Sequence, residues 1–161
     1  DGTAGGTSLL KDYVPGMQSF SLQYKVPFVE LNGKAYFSGS TNQATYNMYE
    51  TDGTASGTKV VTNFTKADNC PMFHSLDVYK GKVYFVCAHS WMQERKGLQY
   101  VESGVQKRVP MNDLPSVGAG KLYDVEAILL ADDSKDIIAL GLAEGTGSVL
   151  FGLEGDGYWA R

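Results

Sequence analysis

The chain has 161 residues and carries 18 acidic against 14 basic side chains, which gives a formal net charge of −4. This length suffices for one domain with a core, and mild acidity without a Lys/Arg cluster argues against a nucleic-acid partner. No apolar run approaches the ~18 residues needed to cross a bilayer, so we expect no membrane-spanning segment.

Glycine, tyrosine and phenylalanine are abundant, with 19, 10 and 7 residues. Tyrosine and phenylalanine suit a pleated surface, and glycine suits frequent turns. Because helical periodicity is weak throughout, the composition favours an all-β fold. The chain begins without Met, so we expect a processed chain or a fragment, a start compatible with a removed secretion signal.

The chain opens on a turn motif that returns once almost unchanged. The first copy, DGTAGGT, begins with Asp1, Gly2 and Thr3, and the second copy, DGTASGT, begins with Asp52, Gly53 and Thr54. Worn copies follow, in which Gly104 and Gly155 continue the spacing of 51 residues from Gly53. A constant period near fifty residues is typical of one four-stranded propeller blade.

Each repeat also contains a predicted β-hairpin. The three hairpins cover Val26–Ser40, His74–Ala88 and Tyr123–Leu142. Asn32-Gly33 and Lys80-Gly81 give the first two of them tight-turn signals. A third strand follows each hairpin, and a fourth strand follows the DGT turn, so the pattern predicts four antiparallel strands in each repeat.

We therefore predict a single all-β repeat domain over residues 1–161, propeller-like, with about three four-stranded antiparallel blades. The blade units cover approximately 14–64, 65–109 and 110–153. The opening strand, residues 7–13, is expected to close the last blade; alternatively, the tail GYWAR begins that strand. Because propellers usually have 4–8 blades, the chain is expected to pair with a second copy, to be one piece of a larger cleaved ring, or to form an unusual three-bladed module.

The DGT turn has a physical explanation of its own. An aspartate carboxylate accepts hydrogen bonds from backbone N–H groups two residues on, glycine supplies a left-handed conformation, and threonine bonds the next backbone group before a strand. We interpret the motif as a structural turn. The alternative is a calcium site at Asp1 and Asp52, but one carboxylate per turn is too few for a convincing cage.

The stretch DGTAGGTSLLKDYVPG resembles a secreted repeat family with the consensus Glu-Leu-Trp-x-x-Asp-Gly-Thr-x-x-Gly-Thr, here called the DGT-repeat family. The second copy has Met48 and Tyr49 where the family has Leu and Trp. The resemblance covers about half of the chain well. It implies a β-propeller in an extracellular or surface protein with adhesion or matrix roles, and it implies no catalytic residues or cofactor.

The two cysteines, Cys70 and Cys87, flank a predicted hairpin whose ends lie close together, so we predict a disulfide. It would close a loop of about 17 residues, which is worth ~3 kcal/mol in the chain-entropy model. His74 and His89, the two histidines, fall in the same hairpin. Two buried free thiols are the alternative to the disulfide. A zinc site formed by these four residues is a further alternative, but their spacing fits no standard finger.

Three further features are candidates for binding or modification. Trp91 and Met92 lie in a long loop between the second and third strands of the middle repeat, and an exposed Trp is a common anchor for protein partners or sugars. Asn63 begins an Asn-Phe-Thr glycosylation sequon. A cluster of aspartates lies at the third hairpin turn and is interpreted as a solvated turn, with a weak cation site as the alternative: Asp132, Asp133 and Asp136.

No nucleophile elbow, phosphate loop or metalloprotease motif appears, so we expect a non-enzymatic extracellular module for protein–protein assembly or adhesion. Its partners would be other protein chains, in a homodimer or in pieces of a larger cleaved propeller. The alternatives are a glycan-binding, lectin-like propeller and a glycan-active hydrolase or lyase that uses a central channel.

Overall fold

The computed structural model of the chain describes residues 3–13, 15, 20–22, 26–42, 45–65, 72–88, 98–109, 116–117, 120–130, 137–143, 147–154 and 157–160. Beyond residue 109 it describes the backbone. All regular structure in these ranges is β-strand, arranged in three antiparallel sheets. Among the described residues no helix has the length and apolarity needed to span a membrane.

The first sheet contains five strands in four positions. Its strands are β1 (Ser21–Leu22), β2 (Val29–Leu31), β3 (Lys34–Ser40), β4 (Asn47–Thr51) and β5 (Lys59–Val60). The short strands β1 and β2 pair with the two ends of the same edge of β3. The order is therefore a four-position meander in which β3 pairs with β4 and β4 with β5.

The second sheet is a plain four-stranded meander. Its strands are β6 (Met72–Tyr79), β7 (Lys82–Ala88), β8 (Leu98–Glu102) and β9 (Val105–Arg108). The third sheet repeats the meander with one short strand added at its edge. Its strands are β10 (Ser116–Val117), β11 (Gly120–Leu130), β12 (Ile137–Ala143), β13 (Gly147–Glu154) and β14 (Gly157–Ala160).

Matched turns set the register of the first two sheets. Asn32 and Gly33 both have positive φ, at 55° and 75°, and Lys80 and Gly81 repeat this at 45° and 72°. Two successive residues with positive φ form the tight turn whose twist matches a hairpin. Since β3 and β7 each begin directly after such a turn, Tyr36 corresponds to Tyr84, Phe37 to Phe85 and Lys34 to Lys82.

Alternation along β3 and β4 gives the first sheet two distinct faces. We call the side that carries Tyr36, Ser38, Met48 and Glu50 its front face, because these residues pair across β3 and β4. The opposite side, the back face, carries Phe37 and Tyr49, which pair directly with each other.

The second sheet has two faces in the same way. Its front face carries Tyr84, Val86, Leu98 and Tyr100. Its back face carries Leu76, Val83, Phe85 and Val101.

The front of the first sheet packs against the back of the second sheet. Tyr36 and Met48 belong to one buried cluster with Leu76, Phe85 and Val101. Phe85 is completely buried, and its ring centroid lies 5.0 Å from that of Phe73. The backbone of β11 in turn lies close to β6 and β7, which places the third sheet next to the second.

The prediction of an all-β fold built from antiparallel sheets is confirmed. The described strands form no closed ring, so the propeller stays a proposal. The prediction of a strand over residues 7–13 is wrong, since this segment contains no strand. The tail takes the place instead: β14 pairs with β13 as the last strand of the third sheet. A short hairpin at the end of the chain closes at a lower entropic cost than pairing between residues far apart in sequence.

Replacing Phe85 with alanine should lower the free energy of unfolding by about 3–5 kcal/mol, because the change empties a fully buried aromatic site between two sheets. Denaturant unfolding measures this loss. Leu9→Ala is the control: Leu9 is 80% exposed, so its removal should cost no more than about 0.5 kcal/mol. Equal midpoints for the two variants would contradict the stacked arrangement of the first two sheets.

Candidate functional site

Several residues singled out in the sequence lie outside the described residues. These are Asp1, Gly2, Cys70, His89, Trp91, Met92, Asp132, Asp133 and Asp136. The binding role of Trp91 and Met92 and the aspartate cluster therefore stay predictions. Among the described residues no three histidine, cysteine, aspartate or glutamate side chains gather as they would around a metal ion.

Of the two cysteines and two histidines, the structure describes only the backbone positions of Cys87 and His74. Cys87 lies in β7 opposite Phe73 of β6, and His74 follows at an irregularity in the register of these two strands. The partner residues Cys70 and His89 are not among the described ones. The disulfide and its zinc alternative consequently stay untested.

Asn63 is exposed and lies in a segment that is firmly held on both sides. The Asn47 side chain accepts the Thr62 hydroxyl at 3.0 Å and the Phe64 backbone N–H at 2.7 Å, and its Nδ2 donates to the Phe64 carbonyl at 3.2 Å. These bonds hold the backbone on either side of Asn63. The amide of the predicted sequon therefore projects from an ordered part of the surface.

The second DGT turn is closed by its own side chains. The Thr54 backbone N–H and hydroxyl both donate to Asp52 Oδ1, at 2.9 and 2.7 Å. Thr54 Oγ1 accepts the Gly57 N–H at 2.9 Å, and the Thr58 hydroxyl donates to the Thr54 carbonyl at 2.5 Å. Gly53 has a φ of 86°, a conformation that favours glycine.

The first DGT copy repeats part of this pattern. The Gly6 N–H donates to Thr3 Oγ1 at 3.0 Å, and the Thr7 hydroxyl donates to the Thr3 carbonyl at 2.7 Å.

In the second copy, hydrogen bonds from the hydroxyl and backbone of Thr54 lower the pKa of Asp52. The Asp52 carboxylate is thus already used within its turn, which favours a structural role over a cation site.

A polar cleft of about 260 Å³ opens between the first two sheets, at the end where their hairpin turns lie. Leu31, Lys34 and Glu50 line it from the first sheet, and Val101 and Ser103 line it from the second. Glu50 is only 3% exposed. Lys34 Nζ donates to Glu50 Oε1 at 2.9 Å, and Lys59 Nζ lies 3.4 Å from the same oxygen.

The carboxylate in this cleft, that of Glu50, is already bound by neighbouring side chains. Burial on its own raises the pKa of Glu50, but hydrogen bonds and charge from Lys34, with Lys59 and Tyr36, bring that pKa below its ordinary value. Burial and the Glu50 charge in turn raise the pKa of the Tyr36 phenol. An ionised carboxylate held by three donors is a poor general acid, whereas it is well suited to tying β3, β4 and β5 together.

The second sheet carries two lysines at the same positions, but the residue between them is different. Lys82 and Lys107 occupy the positions of Lys34 and Lys59, and Tyr100 stands where the first sheet has Glu50. Both ammonium groups lie over the Tyr100 ring, at 4.9 and 5.9 Å from its centroid. Glu102 pairs with them from the side, 2.7 Å from Lys107 and 3.5 Å from Lys82. The lysine pair is therefore a repeated structural element.

The back face of the first sheet carries a cluster of aromatic rings. Phe37 and Tyr49 are buried beneath an outer layer of aromatic rings. Phe28 stacks on Phe37 at 5.2 Å, and Phe20 and Tyr13 meet the Tyr49 ring at 5.0 and 4.9 Å. This outer layer leaves two large apolar side chains more than half exposed: Leu22 at 54% and Phe28 at 58%.

The back face and Glu50 were both missed by the sequence reasoning. Glu50 ends the predicted third strand of its repeat, and the sequence analysis gives it no role. Its signal was the cross-strand position of Lys59, because opposite charges placed directly across a strand pair attract. The signal for the back face was the alternation in VPFVELNGKAYFSGS, which places Tyr36 and Phe37 on opposite sides of one strand.

Gly57→Ala should destabilise the DGT turn, because an added Cβ would collide with the Asp52 carboxylate. A loss of a few degrees in the melting temperature is expected, since ~1 kcal/mol corresponds to ~2–4 °C in a chain of this size. Thermal melting followed by circular dichroism measures it. Gly5→Ala is the control: Gly5 lies in the first copy at the position of Ser56, and an added Cβ there meets nothing within 4 Å. An unchanged melting temperature for Gly57→Ala would show that the turn is loose.

Glu50→Gln should lower stability at pH 7 by about 1–2 kcal/mol, less than for a fully buried pair because the lysines are partly exposed. The folded-state pKa of Glu50 is lowered, so its contribution is present above the unfolded value of about 4.3 and is lost at lower pH. The difference between wild type and variant should therefore shrink as the pH falls through this range. Denaturant unfolding at several pH values measures it, with Glu102→Gln as the more exposed control. A difference that does not change with pH would contradict an ionised Glu50.

Comparison of the chain with protein-family models, with curated proteins and with solved structures gives no match. The resemblance of its turns to the DGT-repeat family therefore stays an expectation from the motif.

Proposed function

We propose that this chain is a non-enzymatic extracellular module of the DGT-repeat type, whose blade-like sheets serve protein–protein assembly or adhesion. The observation that carries the proposal is the apolar back face of the first sheet. Leu22 and Phe28 are more than half exposed there, directly above a layer of packed aromatic rings. We interpret these two exposed apolar side chains as part of an interaction surface, because exposed apolar patches mark sites of protein–protein contact.

The arrangement of the sheets supports the propeller-like part of the proposal. The backbone of β2 lies against β6 and β7, and β6 and β7 lie against β11. The first strand of each meander is thus close to the neighbouring sheet, as expected for the innermost strand of a blade. Sheets that stack in this way bury their faces against one another and leave their loops free for binding.

The polar cleft offers less support for an enzyme. Its carboxylate, Glu50, is held by two lysines and by Tyr36, and its pKa lies below the ordinary value. General acid catalysis near neutral pH needs a carboxylic acid whose pKa is raised. Within the described residues the cleft thus connects strands, and the apolar back face remains the surface best suited to a partner.

The extracellular part of the proposal is supported by two features. The DGT motif resembles repeats of secreted proteins, and both described copies close with the same threonine hydrogen bonds. Asn63 is exposed, as an acceptor for an N-linked glycan must be.

The proposal is tested by binding of the fluorescently labelled chain to extracellular matrix, to cell surfaces and to immobilised copies of itself. We expect saturable binding to at least one of these targets, loss of that binding after protease treatment of the target, and a severalfold reduction for Leu22→Ser. Val105→Ser is the matched control, because Val105 is equally exposed, at 55%, but lies on the second sheet.

Two results would overturn the proposal. Binding that survives protease and disappears after removal of glycans would favour the lectin-like alternative, as would a saturable hit on a glycan panel. Turnover of a glycan substrate by the purified chain would favour the hydrolase or lyase.

A further inference from the structure

We infer that the partner of the back face is a second copy of this chain, which docks head to tail so that two chains close a ring of six sheets. The back face of the first sheet would receive the free side of the third sheet of the other copy. The inference rests on the proposed function, because it names the protein that this surface binds. It follows from the way in which the sheets of one chain already bind each other.

Within the chain, the contact between the first two sheets joins a front face to a back face. Phe85 on the back of the second sheet is buried against the front of the first, in the cluster that contains Tyr36 and Met48. The matched turns make Phe37 the counterpart of Phe85. The back of the first sheet is therefore the same kind of surface that the second sheet uses to bind its predecessor.

This surface has only a thin cover in the described chain. Tyr13, Phe20 and Phe28 lie over Phe37 and Tyr49, and no full sheet lies beyond them among the described residues. The Tyr13 hydroxyl is buried and has no hydrogen-bond partner among the described residues. A buried hydroxyl without a partner is unfavourable, so a docked sheet that supplied one would also relieve this cost.

The third sheet offers the complementary surface. The central strand of the third sheet, β12, has the sequence IIALGLA and contains no polar side chain. Because side chains alternate along a strand, such a run places apolar residues on both sides of the sheet, as in strands that are covered on both faces. β11, the neighbour of β12, lies close to β6 and β7 of the second sheet, and we assign the side of the third sheet that is turned away from them to the other copy.

A front-to-back contact between copies is heterologous, since it joins two different surfaces. Such contacts generate a closed ring when the rotation closes and a filament when it does not. Two copies of three sheets give six sheets, which lies within the range of 4–8 blades seen in propellers. The front-to-back contact seen between the first two sheets would then also be the contact between the two copies.

The test is the native mass of the purified full chain, measured by sedimentation over a wide range of concentration. We expect twice the mass of one chain for the wild type. Phe28→Glu and Leu22→Glu should each weaken the dimer by about tenfold or more, because a charge replaces an exposed apolar anchor. Val105→Glu, at a similarly exposed position on the second sheet, should leave the dimer intact, and melting curves should show all three variants folded.

A photo-reactive phenylalanine analogue placed at position 28 distinguishes head-to-tail docking from other dimers. Cross-links to peptides from residues 120–160 of the other copy would support the inference, whereas cross-links between the two first sheets would overturn it. A wild-type monomer at all concentrations or an open polymer would overturn it as well. If the monomer still bound another protein through Leu22, the proposed function would stand while the second copy was excluded.

Discussion

The contact between the front of the first sheet and the back of the second sheet is the interaction on which the rest of the molecule depends. It buries Met48, Phe73 and Phe85 almost completely, and burial of large apolar side chains is the main favourable term in folding. A single four-stranded sheet has two faces and cannot cover either of them itself. Stacking of the first two sheets covers the two faces between them, whereas the back face of the first sheet has only a cover of aromatic rings among the described residues.

The cleft beside this contact shows how a polar group is accommodated within it. Glu50 lies on the same front face as Tyr36 and Met48, yet it ends next to the hairpin turns, where two lysines can reach it from solvent. In the second sheet the same position holds Tyr100, and the lysines lie over its ring. A carboxylate and an aromatic ring are thus interchangeable there, because both attract an ammonium group.

The sequence predicts much of the architecture, because the features concerned are local. The pairs Asn32-Gly33 and Lys80-Gly81 predict the turns at which two hairpins reverse, and the DGT motif predicts the longer turn before the fourth strand. The error over residues 7–13 arose from a nonlocal question, namely which of two segments pairs with β13. The segment does contact the first sheet, since Lys11 Nζ donates to the Thr58 carbonyl at 2.6 Å, but it does so without strand pairing. Alternation along the strand predicts that the first sheet has a back face, but how well this face is covered depends on which sheet packs against it, which is again a nonlocal question.

The unequal lengths of the two fourth-strand turns have a consequence for the history of such repeats. The first sheet joins β4 to β5 through the long DGT segment, whereas the second joins β8 to β9 through Ser103 and Gly104 alone, and both sheets keep the same pairing. The turn can therefore be shortened or change in amino-acid sequence without disturbing the strands that it connects. Sequence searches that rely on the motif will undercount the units of such arrays, and this turn is a natural place to graft a foreign peptide or to open the chain for circular permutation.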